Sequence, residues 1–320
     1  MSIEKKNYFM DCLDGIIGIH GEMVNEKGED NFYHSHSKHS AIVSVFDGCG
    51  GLGSRMYDVF GRHTGAYMAS RAVSGAVHDW YHSTYNIRWK SEKNLLQSLR
   101  QSVDQALGIV SERGKSTLKL SGSMVRDFPT TAAIALVQDG GDHLVLYVVW
   151  AGDSRVYLMD ADGLAQLTQD DVEGEDALSN LSNDGALTNV ISSDGEYELH
   201  YKKLVLKQPC VVFVATDGCF GYVPTPMEFE YLLVDTLAKA KTPSDFEVAL
   251  NQEIRNYAGD DYAMGMLIFG YEDFCSMKDA FKSRRLNLEK KYIEPLQIRR
   301  NEIITNELWR TYRKTYERYM

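Results

Sequence analysis

Two spacings of apolar residues alternate along this chain. Runs rich in β-branched and aromatic residues recur near 41–46, 132–137, 143–150, 155–159, 198–206, 211–216 and 262–269. Each is strand-length and bounded by turn residues. Joins such as QDGGDH (138–143) and DADG (160–163) are tight enough for antiparallel neighbours. Between these runs the apolar spacing lengthens to three and four, which predicts helices over 54–82, 92–113, 228–240 and 244–257. The last opens with Pro243-Ser244 and carries Asp245 and Glu247 in its first turn, where the helix dipole favours acids. Strands in groups with helices segregated from them predict an α+β fold in layers. From about Ser276 the turn signals stop and a charged helical pattern takes over, with a break expected at Pro295. Ile304, Leu308, Tyr312 and Tyr316 recur every four residues, a stripe that with Trp309 should pack on the protein's own body or on a dimer mate.

The strand ends carry the candidate chemistry. AIVSVF runs into Asp47-Gly48-Cys49, VVFVAT runs into Asp217-Gly218-Cys219, and YAMGMLIFG starts right after Asp260 and Asp261. A buried strand that stops at Asp-Gly delivers a carboxylate to the rim of a sheet, and the Gly is expected to let its carbonyl turn toward the same ligand. Taken singly, Asp-Gly is a common turn dipeptide. With Asp153 and Asp260 added, acids from distant segments could gather at one end of a β core. Carboxylate and carbonyl oxygens suit hard cations such as Mg²⁺ or Mn²⁺, whereas zinc favours His and Cys. Two such ions can share a carboxylate, activate water and neutralise a phosphoryl group under attack.

Composition narrows the field. With 44% hydrophobic and 25% charged residues the chain is core-forming. It has no apolar run long enough to span a membrane, and Asp11 and Asp14 sit where a secretion signal needs apolar residues, so a cytoplasmic protein without membrane partners is expected. The 5 cysteines show no C-x-x-C spacing, which argues against a disulfide framework or structural zinc. Net charge is -11, yet the segment from Ser276 onward holds 12 of the 34 Lys and Arg against 6 of the 45 Asp and Glu. The body is therefore acidic and the tail basic, which disfavours nucleic acid as a partner of the body.

The blocks GEDNFY (28–33), VFDGCGG (45–51), TTAAIALV (130–137), AGDSRVYLMDADG (151–163), LTQDD (167–171), VATDGCFG (214–221) and DDYAMGM (260–266) resemble, in order, the metal-dependent Ser/Thr phosphatases of the protein phosphatase 2C type. The resemblance implies a four-layer α-β-β-α sandwich of two antiparallel sheets flanked by helices. It also implies a catalytic domain over 1–273, followed by a basic helical tail over 274–320. It implies two Mn²⁺ or Mg²⁺ ions and hydrolysis of phosphoserine or phosphothreonine by a metal-bridging water. Asp47 resembles the bridging carboxylate and Gly48 the carbonyl ligand; Asp217 and Asp260 resemble ligands of the first metal. Glu29 and Asp30 resemble the pair that reaches the second metal through water, and Asp153 a ligand of a third. Phosphoproteins, opposed by a Ser/Thr kinase acting on the same targets, are the implied partners.

Departures from the pattern bear on activity. The family's Arg-x-x-Asn-(Glu/Gln)-Asp block reads here Asn25, Glu26, Lys27, Gly28, Glu29 and Asp30, so the phosphate-gripping Arg is replaced by Asn25. Lys27 or Arg55 could substitute, although Lys lacks the bidentate fork. Ala263 stands where a hydroxyl is usual, Pro129 replaces a Gly, and Cys49 occupies a position that is His or Met elsewhere. These changes motivate an alternative, a catalytically weak or inactive regulatory module on the same fold. Gly48 to Gly53 also fits the dinucleotide pattern G-x-G-x-x-G, but Asp47 would oppose a pyrophosphate and no βαβ unit follows. His34, His36 and His39 read as an exposed hairpin rather than a metal tract, and Cys49 and Cys219 as small buried hydrophobes.

Overall fold

The computed structural model describes residues 8–89, 91–115, 126–174, 176–182 and 185–320. After a short helix α1 (Tyr8–Cys12) come strands β1 (Leu13–Gly21), β2 (Asn31–His36) and β3 (Ser40–Phe46). A small ribbon of β4 (Met56–Tyr57) and β5 (His63–Thr64) precedes helices α2 (Gly65–Thr84) and α3 (Glu92–Gly114). Then follow β6 (Ala132–Asp139), β7 (Leu144–Ala151), β8 (Arg155–Asp160), β9 (Gly163–Gln166), α4 (Ala177–Ser182), β10 (His200–Leu206) and β11 (Cys210–Ala215). The chain continues through α5 (Asp217–Phe220), α6 (Pro226–Lys239), α7 (Pro243–Tyr257), β12 (Tyr262–Phe269), α8 (Phe274–Leu288), α9 (Glu294–Ile298) and α10 (Glu302–Tyr316).

Two sheets of five strands form, in the orders β1-β12-β11-β8-β9 and β10-β7-β6-β3-β2, with every neighbouring pair antiparallel. Their inner faces meet through Val43, Val45 and Ala135 against Val212, Val214 and Leu267. Alternate residues of the same strands face outward and are covered too. Ile42, Phe46 and Ile134 pack on Val73, Trp80 and Leu99 of α2 and α3. On the other side Phe213 and Met264 pack on Phe229, Leu233 and Leu250 of α6 and α7. Burial on both faces explains why the central strands read as continuous apolar runs, each large side chain contributing about 1.5–3 kcal/mol. The result is the four-layer α-β-β-α sandwich.

Helix formation starts later than the apolar spacing predicts. Residues 54–64 form the β4–β5 ribbon, with a tight turn over Asp58–Phe60 closed by Gly61 at a left-handed φ of 72°. The Thr64 hydroxyl then caps α2 by accepting from the Tyr67 amide at 3.0 Å. Pro295 does not break the tail where expected. It lies in the first turn of α9, where a missing N–H is tolerated, after a wide π-type turn over Glu289–Ile293. The break comes after Ile298, and Asn301 caps α10 by accepting from the Ile304 amide at 3.0 Å.

The apolar stripe of the tail turns inward. Trp309, Tyr312 and Tyr316 belong to the core cluster that covers Phe213 and Phe229. Tyr312 donates to Glu230 at 2.6 Å, and Arg284 of α8 grips the same buried carboxylate with two bonds of 2.7 Å. Among the described residues no helix is long and apolar enough to cross a membrane.

Candidate metal centre

Asp47 directly follows strand β3, and three hydrogen bonds lock its backbone. Its carbonyl accepts from the Thr131 amide (2.8 Å) and the Thr130 hydroxyl (2.7 Å), and its amide donates to the Thr131 hydroxyl (3.2 Å). The Thr131 hydroxyl in turn meets Ser154 at 2.7 Å, so Asp153 on the adjoining loop is held to the same corner. Thr216 directly follows strand β11 and pairs with Ala263 at the start of β12: each amide donates to the other residue, to the Ala263 carbonyl at 3.0 Å and to the Thr216 hydroxyl at 2.8 Å. That clamp brings Asp217 and Asp260 beside one another although Ala263 has no hydroxyl.

The two Asp-Gly pairs use their glycines differently from the sequence expectation. Neither Gly48 nor Gly218 has a positive φ, so backbone freedom is not what they supply. A side chain at Gly48 would lie 2.7 Å from the Ala66 carbonyl and 2.8 Å from the Glu29 carbonyl. One at Gly218 would lie 1.9 Å from the Asp261 carbonyl. Both glycines let separate backbone segments converge, which is how acids far apart in sequence reach one rim.

Glu29 and Asp30 arrive on the loop before β2. The Asp261 carboxylate holds that loop by accepting from the Met23 amide at 2.7 Å and the Glu29 amide at 2.8 Å. Thr64 donates to the Glu29 carboxylate, Ser70 donates to its carbonyl at 2.5 Å, and Arg71 donates to the Gly28 carbonyl at 2.9 Å. Asp261 stood in the sequence only as the second acid of a doublet. Thr130 and Thr131 lay in a recognised block without a role, and nothing in the spacing marked Thr64 or Arg71. Of the predicted phosphate-side residues, Asn25 and Lys27 lie in the exposed turn ahead of Glu29. The Arg55 guanidinium lies 5.0 Å from the centre of the Tyr57 ring and 3.9 Å from Asp127.

The carboxylates perturb one another. Burial, then the fields of Asp30, Asp217, Asp153 and Asp260, push the Asp47 carboxyl well above the usual range. Burial does the same to Asp30, with Asp217, Asp261 and Asp260 adding to it against a hydrogen bond from Thr216. Asp153 is pushed up to about 8 by burial and by Asp217 and Asp170. Glu29 and Asp260 are raised as well, again chiefly by burial. Oδ2 of Asp30 and Oδ1 of Asp153 are buried without a hydrogen-bond partner among the described residues. A cavity of about 370 Å³ opens beside this ring, and Asp153, Asp217, Asp260, Asn180 and Leu181 all line it.

An all-oxygen set of desolvated, mutually repelling carboxylates with orphaned oxygens fits a hard divalent cation, which would relieve both the repulsion and the missing partners. Among the described residues, no group of three or more His, Cys, Asp and Glu side chains is gathered so that it could hold an ion as it stands. Cys49 and Cys219 are buried beside the acids, and burial followed by the neighbouring carboxylates raises both thiols far above their ordinary value. Both are small buried side chains whose thiols donate to backbone carbonyls, Cys49 to Asp47 at 3.8 Å and Cys219 to Ala263 at 3.3 Å. His34, His36 and His39 lie exposed on the β2–β3 hairpin, away from this site.

The family model for protein phosphatase 2C matches residues 18–256. No curated protein sequence matches the chain. Among solved structures, a serine/threonine phosphatase of Staphylococcus aureus is similar over 81% of this chain and 96% of its own, at 17% identity and a TM-score of 0.62. A Mycobacterium tuberculosis serine/threonine phosphatase is similar over 81% and 100%, at 15% identity and a TM-score of 0.54. A Caenorhabditis elegans sex determining protein is similar over 84% and 67%, at 16% identity and a TM-score of 0.60. At these identities the structural likenesses establish the fold.

Proposed function

The chain belongs to the protein phosphatase 2C family, and from that premise we propose that it is a cytoplasmic, Mn²⁺- or Mg²⁺-dependent phosphatase of phosphoserine and phosphothreonine in proteins. The observation that carries this reading is the ring of Asp30, Asp47, Asp153, Asp217 and Asp260, in which neighbouring acids raise one another's carboxyls and two buried oxygens lack partners. Asp47, the Gly48 carbonyl, Asp217, Asp260, Glu29 and Asp30 would hold two ions, and Asp153 a third. When bound, the ions supply polarisation of the phosphoryl oxygens and a water acidic enough to act as nucleophile. The protein's own part is to fix the acids through the Thr130, Thr131 and Thr216 hydroxyls and to set the Glu29 loop through Asp261. With Asn25 in place of Arg, the phosphate grip falls to Lys27, Arg55 and the ions, which predicts weak substrate binding and a high KM. Five reduced cysteines, all free in the structure, suit the cytoplasm.

A regulatory module on the same fold is the second reading, favoured by Asn25 in place of the phosphate-gripping Arg and Ala263 in place of a hydroxyl. Turnover of a phosphothreonine peptide with Mn²⁺ separates the two. The phosphatase reading expects turnover that is abolished by chelator and by Asp47→Asn or Asp217→Asn; tight Mn²⁺ binding without turnover would favour the module.

A further inference from the structure

The tail reaches the segment that lines the cavity beside the acids. Asp176, on the loop leading into α4, receives its Oδ2 partners from α10: the Trp309 indole N–H at 3.0 Å and the Arg313 guanidinium at 3.1 Å. Its Oδ1 accepts from the amides of Leu178 (3.1 Å) and Ser179 (2.9 Å), fixing the start of α4. The next residues, Asn180 and Leu181, line the same cavity as Asp153 and Asp217. A second grip runs parallel. Asn180 donates to Asp170 at 3.0 Å, Asp170 is held by Arg155 with bonds of 3.0 and 2.6 Å, and Arg155 donates to the Tyr316 hydroxyl of α10 at 3.5 Å. Gly174 makes the fold of this loop tight, because a side chain there would lie 1.7 Å from Oδ1 of Asn180.

We propose that α10 is a positioning element of the catalytic cavity, and that Asp176 is the residue through which it sets Asn180 and Leu181 on the wall a peptide substrate must pass. The proposal rests on the phosphatase reading for its kinetic consequence and on the contacts alone for the tether. A substrate small enough to reach the carboxylates without touching that wall is indifferent to the tether. A phosphopeptide is not.

Two variants of the full chain test this. Trp309→Phe keeps an aromatic ring in the cluster and removes the N–H, and Arg313→Met removes the ion pair at an exposed position where folding is not at stake. Loss of one such bond predicts hydrogen exchange about fivefold faster at the amides of Leu178, Ser179 and Asn180 in either variant, with Phe213 and Met266 in the sheet unchanged. It also predicts a KM for a phosphothreonine peptide about fivefold higher with kcat unchanged, and wild-type kinetics on p-nitrophenyl phosphate. Wild-type exchange at residues 178–180 in both variants overturns the proposal. So does a peptide KM that stays put, or an equal loss on both substrates. A wild-type chain that turns over neither substrate sinks the phosphatase reading itself, and the exchange result still decides the tether.

Discussion

Arg155→Met should destabilise this protein more than an ordinary core substitution, because it leaves a buried charge behind. The Arg155 and Asp170 side chains are each 2% exposed and meet in bonds of 3.0 and 2.6 Å, with the guanidinium also 4.1 Å from the centre of the Phe220 ring. Met fills much of the volume, so the cavity cost is small. Among the described residues the Asp170 carboxylate then keeps only the amides of Gln166 (2.9 Å) and Asn180 (3.0 Å), near Asp153, whose carboxyl its field already raises. Breaking one side of a buried pair costs about 3–5 kcal/mol. With an unfolding entropy of about 2.1 cal/mol/K per residue, this chain loses about 0.7 kcal/mol per degree, so the Tm falls by about 4–7 °C. Adding Asp170→Asn in the same chain removes the stranded charge and should recover at least half of that loss. Calorimetry of the two variants in chelator reads both numbers. A single-variant loss below about 1 kcal/mol, or a double variant no better than the single, would refute the buried-charge argument.

Three further outcomes follow from the same contacts. Glu29, Asp30, Asp47, Asp153 and Asp260 all have raised carboxyls, chiefly through burial. Their contribution to stability is therefore fully present below about pH 4 and lost as pH rises through the folded values, for Asp153 through about 8. In chelator the Tm should fall from about pH 5 to about pH 8 and Mn²⁺ should restore more of it at the higher pH, whereas a flat profile would contradict the raised carboxyls. Gly218→Ala, with its methyl 1.9 Å from the Asp261 carbonyl, should cost about 1–3 kcal/mol by thermal unfolding and weaken Mn²⁺ binding. Gly51→Ala, with nothing within 4 Å, should stay within about 0.5 kcal/mol, and equal effects at the two sites would count against backbone convergence. A thiol reagent should modify exposed Cys275 promptly and leave Cys49 and Cys219 untouched in the native protein, as mass spectrometry would show.

Legibility in the sequence tracked burial. Strands β3, β11 and β12 are apolar on both faces and could be read directly. Strand β1 escaped because Gly15, Gly18 and Gly21 interrupt it, and at Gly18 a side chain would lie 2.7 Å from the Phe32 ring. Strand β2 is an edge strand whose outward His34 and His36 give it a polar look, and β9 has only 4 residues. The acids at strand ends were visible because each sits in a recognisable block. Their supports were not, since a bond such as that from the Glu29 amide to Asp261 joins residues 232 apart and leaves no local periodicity. The same holds for the 133 residues separating Asp176 from Trp309.

The central claim is that the carboxylate rim closes around divalent ions, and an anomalous difference map from crystals soaked in Mn²⁺ addresses it directly. Two manganese peaks about 2 Å from oxygens of this rim, with Asp47 contributing to both, are predicted. Crystals that take up no manganese near Asp47, Asp217 and Asp260 would contradict it.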